Sequence, residues 1–239
     1  MYEIGIDELQ QLFIEARVVA KYAWEHYEDF ASREHTYTLY GPESYDLGAS
    51  VPSSLTPIRA RKLLKSTRRK NYVIYELDAS YNVLRTIHML DYTKVDCTYH
   101  HFDLDGIKYA YPFRGNGRGM YTDKITVLKY SGGLPVYYAI AANNLLFAQF
   151  YEYPEPNKMV VSTYRYFPTA QITKHGYPVD WNAPIGAPNS PVQRHCREEV
   201  PAYIEFSSWF EQELSLAFSD AHKAHLFYNR WAPGLMLRY

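Results

Sequence analysis

The strongest constraint on the fold is a series of turn signals between residues 71 and 167, because each turn fixes which residues face each other across a hairpin. Asp105-Gly106 is the clearest of them, since this dipeptide favours the two-residue turn of a β-hairpin. The predicted pairs are Glu76 with Arg85 and Ile74 with Ile87 around residues 79–82; Leu104 with Ile107, Asp103 with Lys108 and Phe102 with Tyr109 around Asp105-Gly106; Leu128 with Tyr137 and Val127 with Tyr138 around Gly132-Gly133; and Ile140 with Phe147 and Tyr137 with Phe150 around Asn143-Asn144. Compatible partners at successive turns indicate about eight antiparallel strands in meander order.

Helices are predicted at both ends of the chain. Apolar residues at three- and four-residue spacing predict a helix over residues 6–32. Its apolar stripe consists of Leu9, Leu12, Phe13, Ala16, Ala20, Ala23, Tyr27 and Phe30. Residues 35–57 have the composition of a loop, and Thr56-Pro57 predicts the start of a short helix. A last helix is predicted over residues 203–228.

These patterns predict a single α+β domain over residues 1–239. It consists of a helical N-terminal segment (1–70), the β-meander (71–167), an irregular Pro-rich crossing (168–201) and a C-terminal helix and tail (202–239). So many sequential strands form either a strongly curved sheet or a partly closed barrel. We favour a curved sheet with the long N- and C-terminal helices packed on one face.

Composition and charge narrow the location and the kinds of partner. The net charge is −1, which provides no overall field for nucleic acid or for an anionic membrane. The two cysteines, Cys97 and Cys196, lack the spacing of a metal site and allow at most one disulfide. No apolar run reaches membrane-spanning length, and the first ten residues lack the pattern of a signal peptide. We therefore expect a cytoplasmic protein with no membrane partner and no cofactor.

The segment before the Asp105-Gly106 turn contains the first candidate site. Alternate residues of a strand share a face, so His101 and Asp103 point the same way, with Asp105 close to them at the turn. A histidine and two carboxylates could bind a divalent metal or act as a base and its orienting group. The structural alternative is that Asp105 serves the turn and Asp103 pairs with Lys108 across the hairpin.

Two basic segments are candidates for binding anions. Arg114 and Arg118 flank glycines in the sequence RGNGRG, which could hold a phosphate, although a mobile connection between strands has the same composition. Seven cations and no anion lie between residues 59 and 70, namely Arg59, Arg61, Lys62, Lys65, Arg68, Arg69 and Lys70. This run could bind nucleic acid, or it could balance the acidic helices of the same chain.

A third motif places a thiol beside basic residues. Cys196 lies between His195 and Arg197, a setting that could lower the pKa of the thiol. Sequence neighbours on a strand diverge, however, and no third catalytic residue can be named, so a structural cysteine is the simpler interpretation.

The functional prediction is based on the tyrosines of the predicted strands. Fifteen of the 25 tyrosines lie between residues 71 and 167, and strand alternation should leave some of them on an exposed sheet face. Tyrosine-rich surfaces bind proteins, so we favour a non-enzymatic protein-binding domain of the immunity, inhibitor or adaptor kind. The alternatives are an enzyme or small-ligand binder with a pocket on the curved sheet, and a nucleic-acid-binding protein that uses the 59–70 run with tyrosine stacking.

Overall fold

The computed structural model describes residues 4–41, 72–79, 83–91, 94–114, 119, 121–131, 134–155 and 158–201. Two helices open the described chain, α1 (Ile6–Glu25) and α2 (Tyr27–Ala31), and they are separated at His26. The N-terminus of α1 is capped because the Glu8 carboxylate accepts a hydrogen bond of 2.9 Å from the Gly5 backbone nitrogen. The predicted helix over residues 6–32 is thus confirmed, with one break.

One curved antiparallel sheet follows the helices. Its strands are β1 (Tyr37–Gly41), β2 (Tyr72–Leu77), β3 (Val83–Asp91), β4 (Lys94–Leu104), β5 (Ile107–Arg114), β6 (Ile125–Ser131), β7 (Leu134–Ala142), β8 (Leu145–Glu155), β9 (Lys158–Tyr166) and β10 (Val192–Pro201). Each strand pairs with the next one along the chain, so the ten strands form a meander. Within the described residues β1 and β10 do not pair with each other, and the arrangement is a sheet.

All the predicted pairs are present at three of the four hairpins, although the β2–β3 register shifts between Glu76 and Leu77, close to the turn. Glu76 lies opposite Arg85, Asp103 opposite Lys108, and Ile140 opposite Phe147. At the Asp105-Gly106 turn both residues have positive φ, 51° and 76°, as a type I′ turn requires. Local turn chemistry therefore determines these three registers.

The fourth hairpin departs from the predicted register by one residue. Close to its turn Ser131 faces Leu134, as expected, but further along Leu128 faces Tyr138 and not Tyr137. The shift lies between Lys129 and Tyr130, where β7 contains one extra residue. Pro135 next to the irregularity cannot donate a ladder hydrogen bond, which is a known reason for strands to bulge.

Two strands lie where irregular structure is predicted. β1 falls in the predicted loop 35–57, and β10 occupies the end of the predicted crossing 168–201, so both predictions are wrong for these strands. The stretch from residue 167 to 191 is irregular, as expected. The predicted short helix at Thr56 and the predicted C-terminal helix lie outside the described residues.

The main core lies between α1 and one face of the sheet, which we call the helix face. Seven of the eight stripe residues predicted for the first helix are buried, and Tyr27 is half-buried. They pack against strand side chains that include Tyr109, Tyr111, Phe113, Ile125, Val127, Tyr164 and Tyr166. Ring contacts continue this core toward α2, where Phe30 stacks on Phe102 at 4.7 Å. Burial of this apolar surface is the main force that holds α1 on the sheet.

Two arginines attach the C-terminal end of α2 to the sheet. Arg85 donates to the Ala31 carbonyl at 2.7 Å and also pairs with Glu76 on the neighbouring strand. Arg33 donates to the backbone carbonyl of His101 at 2.8 Å. The last carbonyls of a helix lack partners inside the helix, so these guanidinium groups stabilise the place where the chain enters β1.

The opposite face of the sheet is buried as well. Strand alternation assigns to it the residues between those of the helix face. Its buried side chains include Thr86, His101, Ala110, Thr126, Leu128, Tyr138, Gln149, Tyr151, Val161 and Thr163. Half of this set is polar or charged, in contrast to the apolar helix face.

Candidate functional site

The three residues of the first predicted site differ in their exposure to solvent. His101 is buried on β4, whereas Asp103 and Asp105 are exposed at the end of the same hairpin. His101 Nε2 and Thr86 Oγ1 form a hydrogen bond of 3.1 Å. The structural alternative accounts for the two aspartates: Asp103 faces Lys108 and Asp105 forms the turn.

The pKa values of His100 and His101 bear on whether either could act as a general base. Burial, reinforced by His100 and Arg33, lowers the pKa of His101 to about 3. Burial, followed by the positive charges of Arg85 and Arg33, lowers the pKa of His100 to about 3 as well. A general base works best when its pKa lies near the operating pH, so a buried histidine that stays neutral is poorly suited to proton transfer.

A polar layer lies on the opposite face of the sheet, formed by Thr86, His101, Thr126, Gln149 and Thr163. Tyr151 donates to Gln149 Oε1 at 3.2 Å, and Gln149 Nε2 donates to Thr163 Oγ1 at 3.3 Å. Among the residues that the structure describes, the buried Thr126 hydroxyl has no hydrogen-bond partner. Most of the layer is internally bonded, so its hydrogen-bonding groups serve the packing of the sheet.

The described residues offer no metal centre. No group of three or more His, Cys, Asp and Glu side chains in the described ranges could hold a metal ion.

The predicted anion sites fall largely outside the described residues. Arg114 ends β5, where its backbone lies opposite Cys97, and Arg118 lies outside the described residues together with the whole 59–70 run. Cys196 belongs to β10 and follows a bulge in its pairing with β9. Nucleic-acid binding and thiol chemistry at these positions therefore stay predictions.

The predicted exposed tyrosine face is wrong for the part of the chain that the structure describes. No strand tyrosine with a described side chain is exposed; seven are buried and the others are half-buried. The buried ones are Tyr75, Tyr109, Tyr111, Tyr138, Tyr151, Tyr164 and Tyr166. Alternation does divide the tyrosines between two faces, but both faces are covered, so tyrosine builds the interior of this protein.

An exposed apolar stripe instead lies on the outer side of α1. Ile14, Val18 and Tyr22 are 47%, 64% and 37% exposed, and they recur at four-residue spacing. With about 3.6 residues per turn, this α1 stripe lies about half a turn away from the buried residues of the same helix. Large apolar side chains aligned in solvent typically mark a contact surface.

Charged residues flank the α1 stripe. On one side, Glu15 is hydrogen-bonded to Gln11 at 2.8 Å. On the other side, Lys21 approaches Glu25 at 3.7 Å and Arg17 approaches Asp123 at 3.5 Å. We call the flank with Glu15 the acidic flank and the flank with Lys21 and Arg17 the basic flank, although both cations lie near a carboxylate. Together the two flanks give the stripe a mixed polar rim.

The sequence contains a signal for this stripe. The predicted helix uses one apolar stripe, and the residues between its members are treated as polar. A second apolar repeat at positions 14, 18 and 22 on the remaining side of the helix is visible in the sequence. An amphipathic helix needs only one apolar side for its own core, so the second repeat indicates a further contact.

Within the described residues, no helix combines the length and the apolar character needed to cross a lipid bilayer. Comparisons with protein families, with curated proteins and with solved structures found no match to this chain.

Proposed function

We propose that this chain is a non-enzymatic protein-binding domain that docks a protein partner on the α1 stripe. The observation that carries the proposal is the exposure of Ile14, Val18 and Tyr22 in one line on a helix whose other side is already buried in the core. The rigid attachment of α1 to the sheet supports this role, because a fixed helix loses little conformational freedom on binding.

The stripe defines the chemistry of the partner. An apolar strip or groove on the partner would cover the three apolar side chains, with a cation near Glu15 and an anion near Lys21. Helices that bind in grooves use anchors at this spacing. We retain the predicted cytoplasmic location in this proposal, since the chain contains only two cysteines.

The neutral, buried setting of His101 supports the non-enzymatic part of the proposal. A catalytic histidine needs access to substrate and a pKa near the working pH, and burial opposes both. Tyrosine stacking, which the nucleic-acid alternative requires, has little support from the described strand tyrosines because none of them is exposed.

The experiment compares wild-type protein with Val18→Glu, and Ile172→Glu is the matched control. Ile172 is 66% exposed in the irregular segment, so both variants place a carboxylate at an exposed apolar position. Proteins captured from a lysate of the source organism are identified by mass spectrometry, purified, and titrated against all three forms by calorimetry. We expect Val18→Glu to weaken binding at least tenfold and Ile172→Glu to leave it unchanged. Equal affinities for the three forms would show that the stripe is not the docking surface.

A further inference from the structure

We propose that the protein partner is a second copy of this chain, and that two copies pack their α1 stripes together with the helices parallel. This inference rests on the proposed use of the stripe as a docking surface. It goes further because the charges beside the stripe favour a second copy as the partner and a parallel orientation of its α1 helix.

The flanking charges are separated by the apolar line. At 3.6 residues per turn, Glu15 lies about 60° to one side of the line through Ile14, Val18 and Tyr22, and Lys21 lies about 60° to the other side. Arg17 lies beyond Lys21 on the same basic flank, held toward Asp123. Lys21 is 71% exposed, so its ammonium can reach across an interface.

A two-fold axis parallel to the helices brings unlike flanks together. In a parallel pair, the acidic flank of each α1 faces the basic flank of its partner, so Glu15 of each copy lies on the side of the other copy's Lys21. In an antiparallel pair, each flank faces its own equivalent, which opposes Glu15 to Glu15 and Lys21 to Lys21. Charge complementarity therefore favours two parallel copies and disfavours the antiparallel arrangement.

The acidic residues at the ends of the stripe do not cancel this preference. Asp7 and Glu25 lie on the line of the stripe, about three turns and about two turns from Val18 respectively. Packed helices usually cross at an angle, so they separate toward their ends and bring the residues near the crossing point into contact. Glu25 also has Lys21 of its own helix at 3.7 Å.

Sedimentation velocity over a range of protein concentrations tests this arrangement. Wild-type protein, Val18→Glu, Glu15→Lys, Lys21→Glu and the double variant Glu15→Lys/Lys21→Glu are compared in low-salt buffer, where exposed charges are least screened. Ile172→Glu is the control, and circular dichroism establishes that each variant is folded.

We expect wild-type protein and Ile172→Glu to dimerise reversibly, and Val18→Glu to remain monomeric. Each single charge variant should raise the dissociation constant at least tenfold, because it places like charges on facing flanks. The double variant exchanges the two flanks and should recover most of the wild-type affinity. A mixture of Glu15→Lys with Lys21→Glu should associate more strongly than either protein alone.

Three results would overturn the inference. A wild-type protein that is monomeric at every concentration excludes the second copy as partner. Dimerisation that survives Val18→Glu places the interface elsewhere. Single charge variants that dimerise like wild type exclude the parallel arrangement. The proposed function fails separately, when a purified captured partner binds Val18→Glu as tightly as wild type.

Discussion

The Arg85 guanidinium on β3 pairs with the Glu76 carboxylate on β2, and the same group caps α2 through the Ala31 carbonyl. The two side chains are only 12% and 15% exposed, so the pair is partly shielded from water. His35 completes the cluster, with Nδ1 at 3.7 Å from the second oxygen of Glu76. A cross-strand pair that the turn sequence predicts thus also holds the helical segment on the sheet.

Removing the Arg85 side chain should strongly destabilise the fold. Arg85→Ala leaves the Glu76 charge partly buried without this partner and removes the cap on Ala31, so we expect a loss of about 3 kcal/mol in the free energy of unfolding. Arg165→Ala is the control, because it removes an arginine whose side chain is exposed on β9 and should cost less than about 0.5 kcal/mol. Urea unfolding measures both, and similar losses for the two variants would contradict the assigned role of Arg85.

The Asp105-Gly106 turn allows a test of backbone strain. Gly106 has a φ of +76°, and no heavy atom outside its chain neighbours lies within 4 Å of a Cβ built on it. Any cost of a side chain there comes from the backbone conformation, so Gly106→Ala should lose about 1–2 kcal/mol. Gly106→Asn should lose less, since asparagine tolerates this region better. Thermal unfolding compares the two variants, and an equal loss would argue that packing is responsible.

Local sequence information is sufficient where short turns connect the strands. The pairs Glu76 with Arg85 and Asp103 with Lys108 follow from turn residues and chemical matching, and the structure has both. The one-residue shift between β6 and β7 shows the limit of this reasoning. Close to the turn the prediction is correct, and it fails beyond the bulge because an inserted residue changes every later pair.

The same reasoning cannot predict the pairing of strands that are separated by a long segment of the chain. β1 pairs with β2 although residues 42–71 separate them, and β10 pairs with β9 across the irregular segment from residue 167 to 191. Neither pair of strands is connected by a short turn whose sequence would predict the pairing. β10 also carries the charged run REE at residues 197–199, which is typical of an edge strand but resembles a loop in composition.

The burial of tyrosine could not be predicted from alternation. Alternation assigns Tyr137 and Tyr138 to different faces, but it does not say which faces are covered. In the structure Tyr138 is buried and Tyr137 packs against the main core. In contrast to these tyrosines, the three apolar side chains of the α1 stripe remain exposed.

Thr126 and Thr163 are a matched pair within the polar layer. The buried Thr126 hydroxyl has no hydrogen-bond partner in the described part of the chain, whereas Thr163 Oγ1 accepts a hydrogen bond from Gln149. Thr126→Val removes an unsatisfied group and should raise the free energy of unfolding by about 1 kcal/mol. Thr163→Val leaves the Gln149 amide with one bond fewer and should lower it by about 1–2 kcal/mol. Urea unfolding gives both values, and a loss of stability in Thr126→Val would indicate that its hydroxyl has a bound partner such as water.

Acid should destabilise the protein through His100 and His101, which are both buried. Burial is the first cause that lowers the pKa of both His100 and His101 to about 3 in the folded state. An unfolded chain protonates histidine near pH 6.5, so between about pH 6.5 and 3 the unfolded state binds more protons than the folded state. Stability is therefore complete above pH 6.5 and decreases as the pH falls through this window.

The expected size of this effect is about 1.4 kcal/mol per pH unit for each histidine, or about 2 kcal/mol each at pH 5 relative to pH 7. His100→Phe removes one of the two groups and keeps a ring beside Phe113, whose centroid lies 4.9 Å from that of His100. Urea unfolding at pH 7 and pH 5 should then show about half of the wild-type loss in the variant. An unchanged loss in His100→Phe would mean that His100 is not among the groups that make the fold sensitive to acid.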